Sequence, residues 1–180
     1  MNQQGALIGC VLLLMVERGS CSPAPPQTSA SFASAIGKVW MHVDGEWQHP
    51  PADADYPTNY RSAPVTLVRF TSDHEFSVMH CWIIEDAKKL TISNGDGQAI
   101  LIGTWSEEAA EVVTKFRRVY ETVQPVGGGK YPGPEEHATA FVVGHRVQFN
   151  GKLFEEAKSL DVRSYEEFIG PERAKLNVAK

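Results

Sequence analysis

The sequence predicts a mainly β fold: an antiparallel meander of about seven or eight strands, forming a barrel or a sandwich, with one or two short helices at the C-terminus. Three observations predict it. Segments rich in β-branched and aromatic residues recur along the chain, and turn signals such as Asp44-Gly45 and Asn150-Gly151 separate them. Helical spacing replaces this pattern only near the C-terminus, and 180 residues suit one domain.

The first three strands are predicted at residues 37–43, 65–71 and 75–84, each bounded by turn-forming residues. The stretch from Thr91 to Ser106 contains glycines and an aspartate, as phosphate-binding and calcium-binding loops do. No helix follows it, and the ligand spacing of an EF-hand is missing. It is therefore predicted to be a hairpin, with a tight turn at 94–97 and a returning strand at 98–106.

Residues 111–123 alternate and contain Val, Thr, Phe and Tyr, which favours a strand over a helix. A glycine-rich loop follows, and residues 138–151 predict one or two further strands. Leu153, Ala157 and Leu160 are spaced as on a helix face. Ser164 and Glu167 form a possible capping box for a second helix, which Pro171 would end or follow with another.

The N-terminus predicts export. Ala6 to Val16 is an apolar run with the length of a signal-peptide core, and the Ser/Pro/Ala-rich stretch behind it is typical of a tether. We therefore expect a leader at residues 1–21, a disordered tether at 22–35 and a single β-rich domain at 36–180. The expected location is the periplasm or the cell envelope.

The apolar run followed by "GSCS" resembles a bacterial lipoprotein leader, a resemblance that covers the first fifth of the chain. It implies lipidation of Cys21 and attachment to a membrane. "LIGC", ending at Cys10, fits the same family's cleavage pattern if the true start lies upstream. The alternative for Cys21 is a free cysteine or a disulfide with Cys81, which is itself expected to be a small buried residue.

Composition and motifs exclude several function classes. A net charge of -5 and a pI near 5.7 argue against a nucleic-acid partner. The six histidines lack the spacing of a zinc site, and no G-x-S-x-G motif is present. We expect no metal and no cofactor.

The triplet Gly103-Thr104-Trp105 resembles the G-x-W motif of lipocalin-like barrels, although in that family the motif lies near the start of the barrel. The resemblance implies a small up-and-down barrel that binds a ligand. A simpler interpretation is that the glycine lets the indole of Trp105 pack over bare backbone.

Strand alternation suggests one aromatic and polar face suited to sugars or small amphiphiles. Its candidate ligand-binding residues are Trp40, His42, His80, Trp82, Arg118 and Tyr120. The alternative is that the tryptophans belong to the core. Loops at 49–64 and 124–136 would border the mouth of a site.

The leading functional hypothesis is an exported, membrane-anchored domain that binds a small molecule or an envelope component. Two other classes stay open: a hydrolase with catalytic residues gathered across strands, and a structural domain without a pocket. The sequence decides neither the ligand nor the oligomeric state.

Overall fold

The computed structural model describes residues 31–50, 60–93, 97–108, 111–122 and 131–178. Within these ranges the chain forms a short 3-10 helix, nine β-strands and one α-helix. In chain order they are the 3-10 helix Phe32–Ala35, β1 (Val39–Val43), β2 (Arg61–Phe70), β3 (Glu75–Asp86), β4 (Lys89–Ile92), β5 (Ala99–Glu108), β6 (Glu111–Glu121), β7 (Glu135–Val143), β8 (Arg146–Phe149), β9 (Lys152–Glu156) and α1 (Val162–Val178).

Eight of these strands close into an antiparallel up-and-down barrel. The neighbours run β1-β2-β3-β5-β6-β7-β8-β9, and β9 pairs with β1 through Trp40↔Glu156 and Met41↔Glu155. The extra strand β4 extends one edge of β3. Closure leaves none of the eight with a free edge along its paired length. The predicted meander is confirmed, and the barrel is the form it takes.

The hairpin predicted at 94–97 is wrong. Strand β3 turns back at Ala87 and Lys88, two residues with positive φ, so that Ile92 of β4 pairs with Ile83. Strand β5 then pairs with the same edge of β3 and in the same direction as β4. Strands β4 and β5 are therefore two segments of one interrupted edge, and residues 94–96 between them lie outside the described residues. The glycine turn signals describe only the conformation of single residues. Gly97 does have positive φ, but that conformation does not determine whether the chain reverses its direction.

The helix predicted over Leu153 to Leu160 is also wrong, because Lys152–Glu156 is the strand that closes the barrel. Over so few residues, apolar spacing fits a strand and a helix equally well. The single helix in the described part of the chain begins at Val162, ahead of the expected Ser164 cap, and Asp161 Oδ1 accepts the Arg163 N–H at 2.9 Å. Pro171 lies inside this helix rather than at its end.

The apolar core has two layers, because alternate side chains of each strand face opposite sides of the wall. Phe70, Phe76 and Phe154 are buried in the inner layer. The outer layer lies under α1, where Tyr165 and Ile169 are fully buried. The Tyr165 hydroxyl donates to Ser77 Oγ at 3.0 Å and fixes the helix to the barrel wall.

One end of the barrel is closed by the 3-10 helix. Phe32 is buried there with its ring 4.8 Å from Phe70, and Ala35 is fully buried and accepts the Trp40 indole N–H at 2.9 Å. The sequence places these residues in the tether. The structure places them in the core, because an isolated Phe in a Ser/Ala-rich stretch can still fill a cavity. Residues 22–30 lie outside the described ranges.

The Gly103-Thr104-Trp105 triplet lies on β5, the fourth strand of the barrel, and serves packing. A Cβ atom on Gly103 would lie 1.8 Å from the Lys115 carbonyl oxygen, so only glycine allows β6 to come this close. Trp105 is buried at the closed end, and its indole N–H donates to the Thr71 carbonyl at 3.0 Å.

Candidate functional site

The inner layer changes from apolar to polar along the barrel axis. A column of phenylalanine rings in tilted and edge-on contact fills the interior from the closed end: Phe70 to Phe76 at 5.0 Å, Phe76 to Phe149 at 5.2 Å and Phe149 to Phe154 at 6.1 Å. Beyond Phe154 the inner side chains carry hydrogen-bonding and charged groups. We call this the open end and define it by His42, Asp44, Thr66, His80, Trp82, Arg118, Glu121, Tyr131 and Lys152.

The centre of the open end is a hydrogen-bonded chain of three side chains, contributed by the residue after β1, by β2 and by β3. Thr66 on β2 donates its hydroxyl to Asp44 Oδ2 at 2.6 Å, and the same Thr66 Oγ1 lies 2.9 Å from His80 Nδ1 on β3. Register explains this, because Thr66 pairs directly with both His80 and His42, and Asp44 follows two residues after His42. The Lys152 ammonium completes the group by donating to Asp44 Oδ1 at 2.6 Å.

Burial and partners set the charge states of this group. Partial burial opposes ionisation of Asp44, yet the hydrogen bonds from Lys152 and Thr66 outweigh it, and the pKa of Asp44 is lowered. Burial lowers the pKa of His80 and outweighs the attraction of Asp44, with help from the positive charge of Arg118. At neutral pH the site therefore holds an ionised carboxylate and a neutral imidazole.

A second ion pair lies across the open end. Arg118 on β6 donates to Glu121 Oε1 at 3.0 Å, and Tyr131 donates its hydroxyl to Glu121 Oε2 at 2.7 Å. The Tyr131 hydrogen bond, followed by that of Arg118, lowers the pKa of Glu121 despite some desolvation. The same hydrogen bond raises the pKa of Tyr131. Glu121 pairs with Ala99, which in turn pairs with His80, so the two groups face one another across β5.

Four of the six predicted site residues lie at the open end. His42 has Nε2 3.9 Å from Asp44 Oδ1, and its Nδ1 lies 2.8 Å from the Leu153 carbonyl oxygen. Trp82 is half-buried and follows His80 on the inner face of β3. Arg118 pairs with Leu101, a member of the inner layer.

The other two predicted residues lie elsewhere. Trp40 is on the inner face as expected, but it belongs to the closed end, where it is buried. Tyr120 is on the outer face against the layer under α1, because a bulge in β6 pairs Arg118 with Leu101 but Tyr120 with Ile100. Simple alternation fails at such a bulge, so Arg118 and Tyr120 do not share a face.

Sequence reasoning left five residues of the open end out of the candidate list: Asp44, Thr66, Glu121, Tyr131 and Lys152. Threonine in a strand is ordinary, and register alone brings Thr66 beside His80. Lys152 reaches Asp44 only because the barrel closes between β1 and β9. The positions of two of these residues in the sequence could have identified them. Asp44 directly follows the end of β1, and Lys152 begins β9 directly after a turn.

The chain Asp44–Thr66–His80 is not a hydrolytic triad. In a triad the imidazole lies between the hydroxyl and the carboxylate, so that it can take the hydroxyl proton. Here the hydroxyl lies between the other two groups, and its proton points to Asp44. The one cysteine in the described ranges, Cys81, is free and buried in the outer layer, and burial raises its pKa to about 12. Neither group is an activated nucleophile.

Two further properties of the described residues bear on metal binding and membrane attachment. The described residues contain no cluster of three or more His, Cys, Asp or Glu that could hold a metal ion. No helix in the described ranges is long and apolar enough to cross a membrane. Cys10, Cys21 and most of the loops at 49–64 and 124–136 lie outside these ranges, so lipidation and a loop-bordered mouth stay predictions.

Comparison with known proteins found no match: no family model fits the sequence, and neither a curated protein nor a solved structure matches it. The lipoprotein and lipocalin resemblances therefore stay predictions. The functional interpretation rests on the chemistry of the open end.

Proposed function

We propose that this protein is an exported, membrane-anchored barrel that binds a small ligand at its open end. The observation that carries the proposal is the change in the inner layer, from packed phenylalanine rings to a set of polar side chains at the end that holds His80 and Trp82. A barrel that served only as a structural support would favour apolar side chains there, because polar groups cost free energy to desolvate.

Charge balance at the open end argues for a recognition surface. Asp44 is neutralised by Lys152, and Glu121 by Arg118. The half-buried Trp82 supplies an aromatic face beside these pairs. A few placed polar groups next to an aromatic surface are typical of sites for small amphiphiles and sugars.

The proposed anchor agrees with this arrangement. Ser31, the first described residue, lies beside the closed end, so a tether would join the barrel at the end opposite the proposed binding site. An anchor at Cys21 would therefore leave the open end free to bind a soluble ligand or an envelope component. The anchor is tested by the mass of the mature protein from its own membrane fraction, with Cys21→Ser as the matched variant. A diacylglycerol adduct that disappears in the variant supports the anchor, and an unmodified Cys21 contradicts it.

Ligand binding is tested by tryptophan fluorescence with three probes that share a phenyl ring: phenyl glucoside, phenyl phosphate and phenethylammonium. We expect at least one probe to change the emission, and the change to disappear in Trp82→Phe. The control is Trp47→Phe, because Trp47 lies on the outer side, where Arg61 stacks on its ring at 4.2 Å. A response that depends on Trp47 instead, or no response to any probe, would contradict the proposal.

A further inference from the structure

The hydrogen-bond chain at the open end determines which nitrogen of His80 carries the proton. Asp44 is an ionised carboxylate and can only accept, so the single hydroxyl proton of Thr66 is donated to it at 2.6 Å. Thr66 Oγ1 then has only lone pairs to offer to His80 Nδ1 at 2.9 Å. Nδ1 must therefore be the donor, and in the neutral ring Nε2 is left as an acceptor.

His80 Nε2 has no hydrogen-bond partner among the described residues, whereas Nδ1 is engaged with Thr66. The charged groups that act on His80 come from several elements: Asp44 after β1, Arg118 and Glu121 on β6, and Lys152 on β9. These charges form pairs with one another. Among the described residues, Nε2 is thus an acceptor without a donor, and the charges around it are compensated.

We infer that His80 selects for a neutral ligand that donates an O–H or N–H to Nε2, and that Thr66 is the positioning residue that sets this polarity. The inference rests on the proposed function and adds the chemical class of the ligand. An anion would be repelled by the lone pair of Nε2. It would also have to compete with Glu121 for the guanidinium of Arg118. A neutral hydroxyl compound such as a sugar meets neither obstacle.

The tautomer can be measured without any ligand. Long-range ¹H–¹⁵N NMR correlations of the imidazole distinguish a protonated Nδ1 from a protonated Nε2. We expect the Nδ1–H form for His80 in the wild-type protein at neutral pH. Thr66→Val keeps the shape of the side chain but removes the hydroxyl, so the ring should shift towards the Nε2–H form that histidine prefers in water. Thr114→Val is the matched control: Thr114 is a buried threonine of the same barrel wall whose hydroxyl donates to the Ala138 carbonyl.

The ligand class is measured with the same phenyl probes. We expect phenyl glucoside to bind the wild-type protein about tenfold more tightly than phenyl phosphate, a difference of about 1.4 kcal/mol. Thr66→Val should reduce this preference, and Thr114→Val should leave it unchanged. A wild-type His80 with the proton on Nε2, or tighter binding of phenyl phosphate, would overturn the inference alone. Failure of all three probes to bind would remove the proposed function and the inference with it.

Discussion

The two ends of the barrel are built from the same eight strands but have opposite chemistry. At the closed end, buried Phe32 and Trp105 pack ring against ring at 5.5 Å, and the indole N–H groups there bond to backbone carbonyls. At the open end, side chains bond mainly to other side chains through Thr66, Asp44 and Glu121. A barrel wall imposes neither pattern, since each strand supplies inward residues at both ends.

This difference indicates where the molecule is stabilised and where it is free to recognise something else. Apolar burial at the closed end provides folding free energy and leaves little polar surface. The network at the open end gains little net free energy, because its groups exchange water for one another. The following predictions test this division, from the largest expected effect to the smallest.

Phe76→Ala should have the largest effect on stability. Phe76 is fully buried, and its ring contacts Phe70, Phe116 and Phe149. The free energy of unfolding should fall by about 3–5 kcal/mol, because the substitution leaves a cavity at the centre of the ring column. Urea unfolding measures it. If the free energy of unfolding fell as little as in an open-end substitution such as Trp82→Phe, the claim that the apolar core carries the stability would be contradicted.

Gly103→Ala should destabilise by about 3 kcal/mol, through overpacking rather than a cavity. The added methyl group would overlap the backbone of Lys115 and Phe116, which cannot move without separating β5 from β6. Gly170→Ala is the matched control, since this helical glycine has nothing within 4 Å of the position of a Cβ atom apart from its own helix and its chain neighbours. Its effect should stay within about 0.5 kcal/mol, because the gain in helix propensity is opposed by crowding of the new methyl group against the ring of Pro171. Equal effects of the two substitutions in urea unfolding would refute the close approach.

Trp105→Phe and Trp82→Phe compare the same substitution at the two ends. Trp105→Phe removes the hydrogen bond to the Thr71 carbonyl inside the core and should cost about 1–2 kcal/mol. Trp82 is half-buried, and its replacement should cost about 0.5 kcal/mol. Thermal unfolding of both variants provides the test. A larger loss for Trp82→Phe would mean that the open end carries the stability.

The smallest effect is a pH dependence due to His80. Burial places its folded pKa below 6.5, so the unfolded state takes up a proton at higher pH than the folded state does. Above pH 6.5, titration of His80 should therefore leave the free energy of unfolding unchanged. As the pH drops from 6.5 towards the lowered folded pKa, this titration should reduce the free energy of unfolding. Asp44 contributes a similar loss only below its ordinary value of 3.8.

His80→Gln should remove the loss between pH 6.5 and the folded pKa of His80. The control is His145→Gln, which changes an exposed histidine in the turn between β7 and β8. Melting temperatures of the three proteins across this range measure the difference. An unchanged slope in His80→Gln would mean that His80 stays accessible enough to be protonated in the folded protein.

The sequence predicted the antiparallel meander well because alternation and turn signals are local properties, but it left the choice between a barrel and a sandwich open. It failed where the outcome depends on distant pairing. Lys152–Glu156 is a strand because it pairs with β1, and β4 and β5 do not form a hairpin because both pair with the same edge of β3. Alternation also placed Trp40 and His42 on one face correctly. It could not tell that Trp40 lies near the closed end.

For the candidate site, sequence reasoning found single residues but not their grouping. His80 and Trp82 follow from alternation on β3, whereas Tyr120 was misplaced because a bulge cannot be read from residue types. Thr66 and Lys152 depend on register and barrel closure, which a single sequence does not encode in any local pattern.

The most direct test of the account is an amide chemical-shift map of the ¹⁵N-labelled protein with and without phenyl glucoside. The account predicts that the shifted amides cluster at the open end, in residues 42–44, 65–66, 80–82 and 118–121, and that the amides of the segment 32–35 and around Trp105 scarcely shift. Shifts centred on the closed end, or on the outer wall beside α1, would contradict the claim that the polar end of the barrel is its binding site.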